Sequence, residues 1–128
     1  GFMDLVLDRA GRPICGRPAP VCGNFAADQL FATASAAIPP SERARLAEFF
    51  RAKGATTVQI AGHTDSRGGA ASNMALGKAR AAAVASVARA SGAKVASVVS
   101  FGETRPAKSN KTPGGMAANR RVEISCVN

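Results

Sequence analysis

The sequence predicts an α/β (α+β) sandwich, a mixed four-stranded sheet with helices packed on one side, plus a short N-terminal extension. Apolar and polar residues alternate in several short segments, as in half-buried strands. Two longer segments repeat apolar residues every three or four positions, as amphipathic helices do. Alanine supplies much of the hydrophobic fraction of 46%, which favours small-residue helices lying close to a sheet. A chain of 128 residues is long enough for one domain with one core.

Residues 1–24 form the predicted extension, and residues 25–128 form the predicted domain. Within the extension, residues 3–7 alternate between apolar and polar side chains. Residues 9–13 have the Gly and Pro content of a turn. A short hairpin is therefore expected before the domain begins.

A strand over 25–33 is predicted to open the domain, with Leu30 and Phe31 as its apolar centre. A helix over 41–53 follows it, with Ser41 as the N-cap residue. Its apolar positions are spaced i, i+3 and i+4, which predicts one buried stripe of Leu46, Phe49 and Phe50.

The remaining elements follow in the order strand, helix, strand, strand. Alternation predicts a strand over 56–61, and glycines and small polar residues predict a loop over 62–72. The longest helix is predicted to begin at residue 72 or 73 and end near Ala90, with an apolar face of Leu76, Ala79, Ala83, Val84 and Val87. Strands over 94–101 and 121–127 flank a basic loop over 102–118. The predicted order is therefore β-α-β-α-β-β.

The formal net charge of +9 is concentrated in the second part of the chain. Residues 1–52 contain six Lys and Arg against five Asp and Glu, a charge of +1. Residues 53–128 contain eleven against three, a charge of +8. This part is expected to attract anionic polymers, which include nucleic acid, an acidic membrane surface and cell-wall glycan. Charge alone does not choose among them, and a basic surface that only aids solubility has the same composition.

The three cysteines leave their pairing open. Cys15 and Cys22 flank a turn-rich segment that a disulfide between them would close, leaving Cys126 unpaired, and three reduced thiols fit equally well. No CxxC pair is present and one histidine does not complete a zinc site, so neither a metal nor a cofactor is expected. No apolar run approaches the ~20 residues that a membrane span needs. The first residues do not begin a signal peptide, so the chain is expected to be cytosolic or a fragment without its targeting segment.

The most informative residues surround the predicted loop over 62–72. Asp65 directly follows a predicted strand, and Asn73 and Arg80 lie seven residues apart on the next helix. Seven residues advance a helix by about 700°, so both side chains share one face, roughly 10 Å apart along the axis. The connection between strand and helix is short, so Asp65 must pack near the first turns of the helix. Asp65 and Arg80 can therefore flank one pocket as opposed charges.

Such a pair of charges fits a zwitterion. A carboxylate binds an ammonium group, and a guanidinium binds a carboxylate bidentately. A ligand with both groups on one carbon, the α-amino-acid end of a larger molecule, would satisfy both side chains. The alternative, in which Asp65 caps the helix and Arg80 pairs with it directly, is equally open at this point.

A spaced motif within these segments resembles the signature of the OmpA-like peptidoglycan-binding domain family. The motif consists of Thr64-Asp65, ten further residues, Leu76, Arg80-Ala81 and Val84. The segment 119–124 resembles that family's closing strand, and the residues between follow its layout at Gly102-Glu103, Pro106, Asn110, Thr112 and Gly115. The resemblance covers roughly residues 25–127. It departs at Gly77, where the family usually has Ser, and a weaker local hydrogen bond or helix is expected there.

The resemblance implies binding of peptidoglycan through the meso-diaminopimelate of its peptide stem, which anchors an envelope protein to the cell wall. Asp65 would bind the ammonium group of that residue and Arg80 its carboxylate. Thr64, Asn73 and Arg120 would complete the pocket with hydrogen bonds and positive charge. The implied location is the periplasm, in association with the outer membrane and the cell wall. The domain itself would be soluble, tethered to the outer membrane in the full-length protein, and monomeric or weakly dimeric.

Two other classes of function compete with this interpretation. A cell-wall hydrolase or amidase would use His63, but Ser66 and Ser72 lack the context of a nucleophile, so a structural histidine and no enzymatic activity are predicted. A nucleic-acid-binding module would use the basic cluster of Arg105, Lys108, Lys111, Arg120 and Arg121. No aromatic residues are interleaved there for base stacking, so a solvated or glycan-facing edge is expected and no nucleic acid is predicted as partner.

Overall fold

A computed structural model describes residues 6–7, 13–14, 20–54 and 56–127. In chain order the elements are β1 (Val6–Leu7), β2 (Pro13–Ile14), β3 (Val21–Ala26), α1 (Ala27–Leu30), α2 (Pro40–Lys53), β4 (Thr57–His63), α3 (Ala70–Ala90), β5 (Lys94–Gly102), α4 (Pro113–Asn119) and β6 (Arg121–Cys126). β1 and β2 pair with each other in antiparallel orientation, in the segment where the sequence predicts a hairpin.

The four longer strands form one mixed sheet in the order β3-β6-β4-β5. β4 and β5 are parallel, since α3 crosses over between them, whereas β6 runs antiparallel to both β4 and β3. The last strand of the chain is therefore central, and β3 forms an edge. The predicted α/β sandwich with a mixed four-stranded sheet is confirmed.

The core lies between this sheet and the helices α2 and α3. Fully buried residues alternate along the two central strands, at Val58 and Ile60 of β4 and at Val122 and Ile124 of β6. They face one buried stripe of α2, formed by Leu46 and Phe50. Phe49, predicted in the same stripe, is only partly buried and packs edge-on against Phe25 and Phe50 at centroid distances of 5.1 and 5.2 Å. The aromatic residues thus close the core at the edge strand.

α3 buries Val84 and Val87 of its predicted apolar face, but not the whole of that face. Ala79 is exposed, and the buried positions are Asn73, Gly77, Arg80, Ala81, Val84, Ala85, Val87 and Ala88. Small residues lie on this face because α3 approaches β4 closely, and size therefore decides the orientation more than hydropathy does. The same face carries Asn73 and Arg80 toward the end of the sheet. Within the described ranges, no helix combines the length and the apolar character that crossing a membrane requires.

Two glycines mark the closest approach of α3 to the sheet. A Cβ atom at Gly62 would lie 2.0 Å from the backbone oxygen of Gly77, far inside van der Waals contact. A Cβ atom at Gly77 would lie 2.4 Å from Ser100 Oγ. Glycine at position 77 therefore allows α3 to lie close to the sheet in this chain. The weakening of the helix expected at Gly77 stays a prediction.

The first strand of the sheet differs from its prediction. It is β3, whereas the sequence predicted a strand over 25–33, and Leu30 and Phe31 are buried at and after the one-turn helix α1. The predicted division between residues 24 and 25 falls inside β3. A short apolar run does not distinguish a buried strand from a buried helical turn. For this reason the predicted strand over 25–33 was wrong.

The basic loop predicted over 102–118 contains the helix α4. Pro113 opens α4, and the side chain of Thr112 accepts a hydrogen bond from Gly115 N at 2.9 Å, so Thr112 is its N-cap. Asn119 is fully buried and binds the preceding loop through Ala107 N and Lys108 N at 2.7 and 2.8 Å. Seven residues with two adjacent glycines carry too weak a helical pattern to be predicted from the sequence.

A disulfide joins Cys22 to Cys126, which rules out both possibilities that the sequence left open, a bond between Cys15 and Cys22 and three reduced thiols. The Cα atoms of Cys22 and Cys126 lie 5.7 Å apart, within the usual range for a disulfide. Cys22 is the extra residue of a β-bulge in β3, opposite the end of β6. Cys15 lies outside the described residues. Closeness in sequence favoured a short loop, whereas the antiparallel pairing of β3 and β6 brings together residues 104 positions apart.

Candidate functional site

A cleft of about 640 Å³ opens at the carboxyl end of β4, beside the start of α3. All five predicted site residues line it, namely Thr64, Asp65, Asn73, Arg80 and Arg120. The opposite wall consists of Asp28 and the segment 31–34, which follow the edge strand β3. Three stretches of chain that are remote in sequence thus meet at one site.

Asp65 is a nearly buried carboxylate whose two oxygens are both engaged, with only 6% of the side chain exposed. Oδ1 accepts from the backbone N of Arg67 at 2.9 Å. Oδ2 accepts from Nε and Nη2 of Arg67 at 3.1 and 2.8 Å, and from Nη1 of Arg120. Burial acts to raise the pKa of Asp65, but these hydrogen bonds outweigh it, so the pKa lies below its ordinary value. Asp65 is therefore ionised at neutral pH.

Arg120 connects the two acidic residues of the cleft. Its Nε and Nη2 donate to Oδ1 and Oδ2 of Asp28, each at 2.8 Å, while Nη1 donates to Asp65. The hydrogen bonds to Asp28 raise the pKa of Arg120, and the same bonds lower the pKa of Asp28. Arg120 therefore fixes the position of both carboxylates.

Arg80 is nearly buried, with only 5% of the residue exposed, and supports the wall of the cleft opposite Asp65. Its Nε donates to Ser35 O at 2.9 Å and Nη2 donates to Ala32 O at 3.4 Å. The guanidinium lies 5.1 Å from the ring centre of Phe31. Among the described residues, Nη1 of Arg80 has no hydrogen-bond partner. Arg80 thus keeps donor capacity at the cleft for an anionic group.

The simple ion pair left open by the sequence is not present. Within the part of the chain that the structure describes, Arg80 and Asp65 form no direct ion pair. α3 is preceded by Gly69 at its N-cap position and has no side-chain cap. Asp65 therefore neither caps the helix nor pairs with Arg80, and the two charges face the same cleft separately.

Asn73 fastens the loop after β4 to the first turn of α3. Its Nδ2 lies 2.8 Å from Arg67 O, 3.3 Å from Asp65 O and 3.1 Å from Glu103 Oε1. Thr64 Oγ1 donates to Asp65 O at 3.0 Å within the same loop. The prediction that this loop packs near the first turns of the helix is confirmed, and Thr64 and Asn73 hold the backbone that carries Asp65.

The sequence did not indicate Asp28 and Arg67, which both line the cleft. Asp28 was not recognised because it lies within the segment 25–33, which the sequence predicted to be a core strand. In the structure Ala27 N donates to Arg120 O at 2.8 Å, which places Asp28 beside the start of β6. Arg67 stands two residues after Asp65, and that proximity was the one available signal for it.

The residues weighed for the two competing functions lie elsewhere or are engaged. His63 is buried, stacks on Phe101 at a centroid distance of 5.4 Å, and does not line the cleft. In the basic cluster, Arg120 binds Asp28 and Asp65, and Arg121 is buried against the carboxylate of Glu123 at 2.8 Å. Within the described ranges, no three His, Cys, Asp or Glu side chains are grouped as metal ligands.

Glu123 lies between His63 and Arg121 on the sheet face away from the core. His63 Nε2 is 3.6 Å from Glu123 Oε1, and Arg121 Nε donates to Oε2 at 2.8 Å. These two groups lower the pKa of Glu123 from 4.5 to about 2. A separation of 3.6 Å is long for a hydrogen bond, so we give Arg121 the greater weight.

The low pKa of Glu123 predicts acid sensitivity. A carboxyl whose folded pKa lies below its unfolded value stabilises the fold above the unfolded value, and this contribution is lost as pH falls through the folded one. We therefore expect the free energy of unfolding to decrease between about pH 4.5 and about pH 2, and to decrease less in Glu123→Gln. Urea unfolding at several pH values measures this. Glu48→Gln, the same change at an exposed position of α2, is the control, and equal acid slopes in both variants would contradict the prediction.

The chain is similar to several known proteins. The model of the OmpA family matches residues 30–120. Outer membrane porin F of Pseudomonas fluorescens is 44% identical over 82 residues, 62% of this chain and 25% of the porin. Peptidoglycan-associated lipoprotein of Legionella pneumophila is 42% identical over 87 residues, 66% of this chain and 49% of the lipoprotein. The chain thus spans between a quarter and a half of the length of these relatives.

Solved structures show the same fold. The cell wall anchor of the T6SS from Pseudomonas aeruginosa superposes with a TM-score of 0.67 at 31% identity, over 81% of this chain and 78% of that one. The peptidoglycan-associated lipoprotein from Burkholderia pseudomallei superposes with a TM-score of 0.64 at 26% identity, over 80% of this chain and 88% of that one. The described domain therefore has the architecture of these two proteins.

Proposed function

The chain belongs to the OmpA family, and from that premise we propose that its cleft binds peptidoglycan non-covalently and anchors an envelope protein to the cell wall. We further propose that the cleft recognises the meso-diaminopimelate of the peptide stem. One observation carries the proposal: a buried carboxylate, Asp65, and a buried guanidinium, Arg80, line one cleft without pairing with each other. No bond is made or broken in this function, and it requires no cofactor.

The chemistry of the cleft suits the free amino-acid end of diaminopimelate. We assign Arg80, whose Nη1 has no hydrogen-bond partner among the described residues, to the ligand carboxylate, and Asp65 to the ligand ammonium group. Both side chains are nearly buried, so the two interactions are stronger than they would be in water. Arg120 and Asn73 hold Asp65 and its loop in place before the ligand arrives. This preorganisation lowers the entropic cost of binding.

The proposed location is the periplasm, in association with the outer membrane and the cell wall. The disulfide between Cys22 and Cys126 supports it, because disulfides persist in oxidising compartments. The names of the two relatives, an outer membrane porin and a peptidoglycan-associated lipoprotein, support it too. We propose that the domain is the wall-binding part of such a protein.

Sedimentation with purified, insoluble peptidoglycan tests the proposed function. Asp65→Ala and Arg80→Ala are each expected to remove the protein from the pellet, because each leaves one charged end of the ligand without its partner. Free meso-diaminopimelate is expected to compete with the wild-type protein for the pellet. The apparent Kd should rise more than tenfold in each variant. Removing a buried charged partner usually costs about 2 kcal/mol or more in binding free energy.

The matched control is Arg89→Ala, which removes an exposed arginine from the last turn of the same helix. Retained binding in this variant separates specific recognition from attraction by net charge. Arg80 also supports the wall of the cleft, so thermal unfolding and Arg80→Lys are needed to show that the fold survives. Undiminished sedimentation of both Asp65→Ala and Arg80→Ala would refute the proposal, and soluble fragments released from the wall would favour a hydrolase instead.

A further inference from the structure

One oxygen of the Asp65 carboxylate is crowded by N–H donors in the described structure. Oδ2 accepts from Nε and Nη2 of Arg67 and from Nη1 of Arg120, whereas Oδ1 accepts only from the backbone N of Arg67. A carboxylate offers about four lone-pair directions, two on each oxygen. An ammonium group that binds Oδ2 must therefore replace one of the two guanidinium groups.

The two arginines differ in how firmly they are held. Arg120 is 20% exposed and is bound bidentately by Asp28 in addition to Asp65. Arg67 is 65% exposed, and among the described residues its guanidinium contacts Asp65 alone. An exposed side chain with one partner leaves at low cost, because water replaces the lost hydrogen bonds. The backbone N–H of Arg67 stays on Oδ1 when the side chain leaves.

We propose that the guanidinium of Arg67 occupies the ammonium subsite of the cleft in the ligand-free protein and is displaced by the amino group of the ligand. The inference rests on the proposed function and adds a residue that determines affinity and selectivity. A ligand with a free amino group exchanges one cation at Asp65 for another. A ligand whose amino groups are acylated has no cation to offer and leaves Arg67 in place, so Arg67 lowers the affinity for ligands with a free amine and leaves that for acylated ligands unchanged.

Calorimetric titration with meso-diaminopimelate tests this competition. Arg67→Gln is expected to bind it about two- to fivefold more tightly than the wild-type protein, since an exposed ion pair no longer has to be broken. Arg89→Gln, the same charge change away from the cleft, is expected to leave the Kd unchanged. With diaminopimelate acetylated on both amino groups, Arg67→Gln and the wild-type protein should have equal, weaker affinity.

A second readout follows Arg67 itself. In the NMR spectrum of the ligand-free protein, the Nε–H of Arg67 should exchange with water more slowly than it does in Asp65→Asn or after addition of meso-diaminopimelate. Equal exchange rates in the ligand-free protein and in Asp65→Asn would overturn the inference without any ligand.

The two failures are distinguishable. Wild-type binding combined with equal or weaker binding by Arg67→Gln overturns the role of Arg67 and leaves the proposed function standing. Absence of binding by both proteins overturns the proposed ligand, and with it the displacement of Arg67 by that ligand.

Discussion

Replacing Cys22 and Cys126 together by alanine is expected to lower the free energy of unfolding by about 2–5 kcal/mol. The bond joins residues separated by 104 positions, so it restricts the unfolded chain over nearly the whole domain. It also fastens β3, which is an edge strand hydrogen-bonded to β6 alone in the sheet. Urea unfolding monitored by circular dichroism measures the loss, and a reducing agent should destabilise the wild-type protein but not the double variant.

Cys15→Ala is the control that separates the observed pairing from the one favoured by sequence proximity. The observed bond predicts unchanged stability and unchanged sensitivity to reduction in this variant. A bond between Cys15 and Cys22 would instead make Cys15→Ala as unstable as the double variant. Equal loss in the two proteins would therefore contradict the pairing of Cys22 with Cys126.

Gly62→Ala is expected to cost about 3 kcal/mol in unfolding free energy and to abolish binding at the cleft. The new methyl carbon would lie 2.0 Å from Gly77 O, and a backbone atom in the middle of α3 cannot rotate away. α3 must therefore move from β4. Because Asn73 and Arg80 stand on α3 and Asp65 follows β4, this movement separates the two charges of the site. Urea unfolding and peptidoglycan sedimentation measure the two effects.

Gly114→Ala is the matched control for this change. Gly114 lies in the first turn of α4, where a Cβ atom has no neighbour within 4 Å. The same addition of a methyl group should therefore alter the unfolding free energy by less than about 1 kcal/mol, in the stabilising direction expected of alanine in a helix. Similar stabilities for Gly62→Ala and Gly114→Ala would show that α3 and β4 do not depend on the close contact.

Alternation and helical spacing were sufficient for α2, β4, α3, β5 and β6, with ends within three residues of those observed. They were insufficient where local pattern and tertiary packing disagree. Leu30 and Phe31 are as apolar as a strand requires, but they lie around a helical turn because β3 is complete at Ala26. α4 is too short and too rich in glycine to show a period, and buried Asn119 holds its end by tertiary hydrogen bonds.

The charged residues that line the cleft were predictable in part, whereas the groups they contact were not. Helical spacing placed Asn73 and Arg80 on one face, and the short loop placed Asp65 beside them, as the structure has them. The family resemblance added Arg120. Asp28 depends on a pairing of β3 with β6 that joins opposite ends of the chain, and no local pattern encodes it. Hydropathy gave only part of the buried face of α3: Val84 and Val87 are buried as predicted, whereas Gly77 and the buried alanines are there because space is limited.

The position of the disulfide also bears on how an anchor carries mechanical tension. Cys22 stands near the start of the first sheet strand and Cys126 ends the last, so a pull between the two flanking stretches of chain passes through one covalent link. The residues between them, 23–125, receive none of that force. Under the proposed function, a pull between either flank and peptidoglycan bound at the cleft is shared by β3 and β6 from the outset. The edge strand β3 therefore cannot be peeled from β6 at its outer end while the bond is intact.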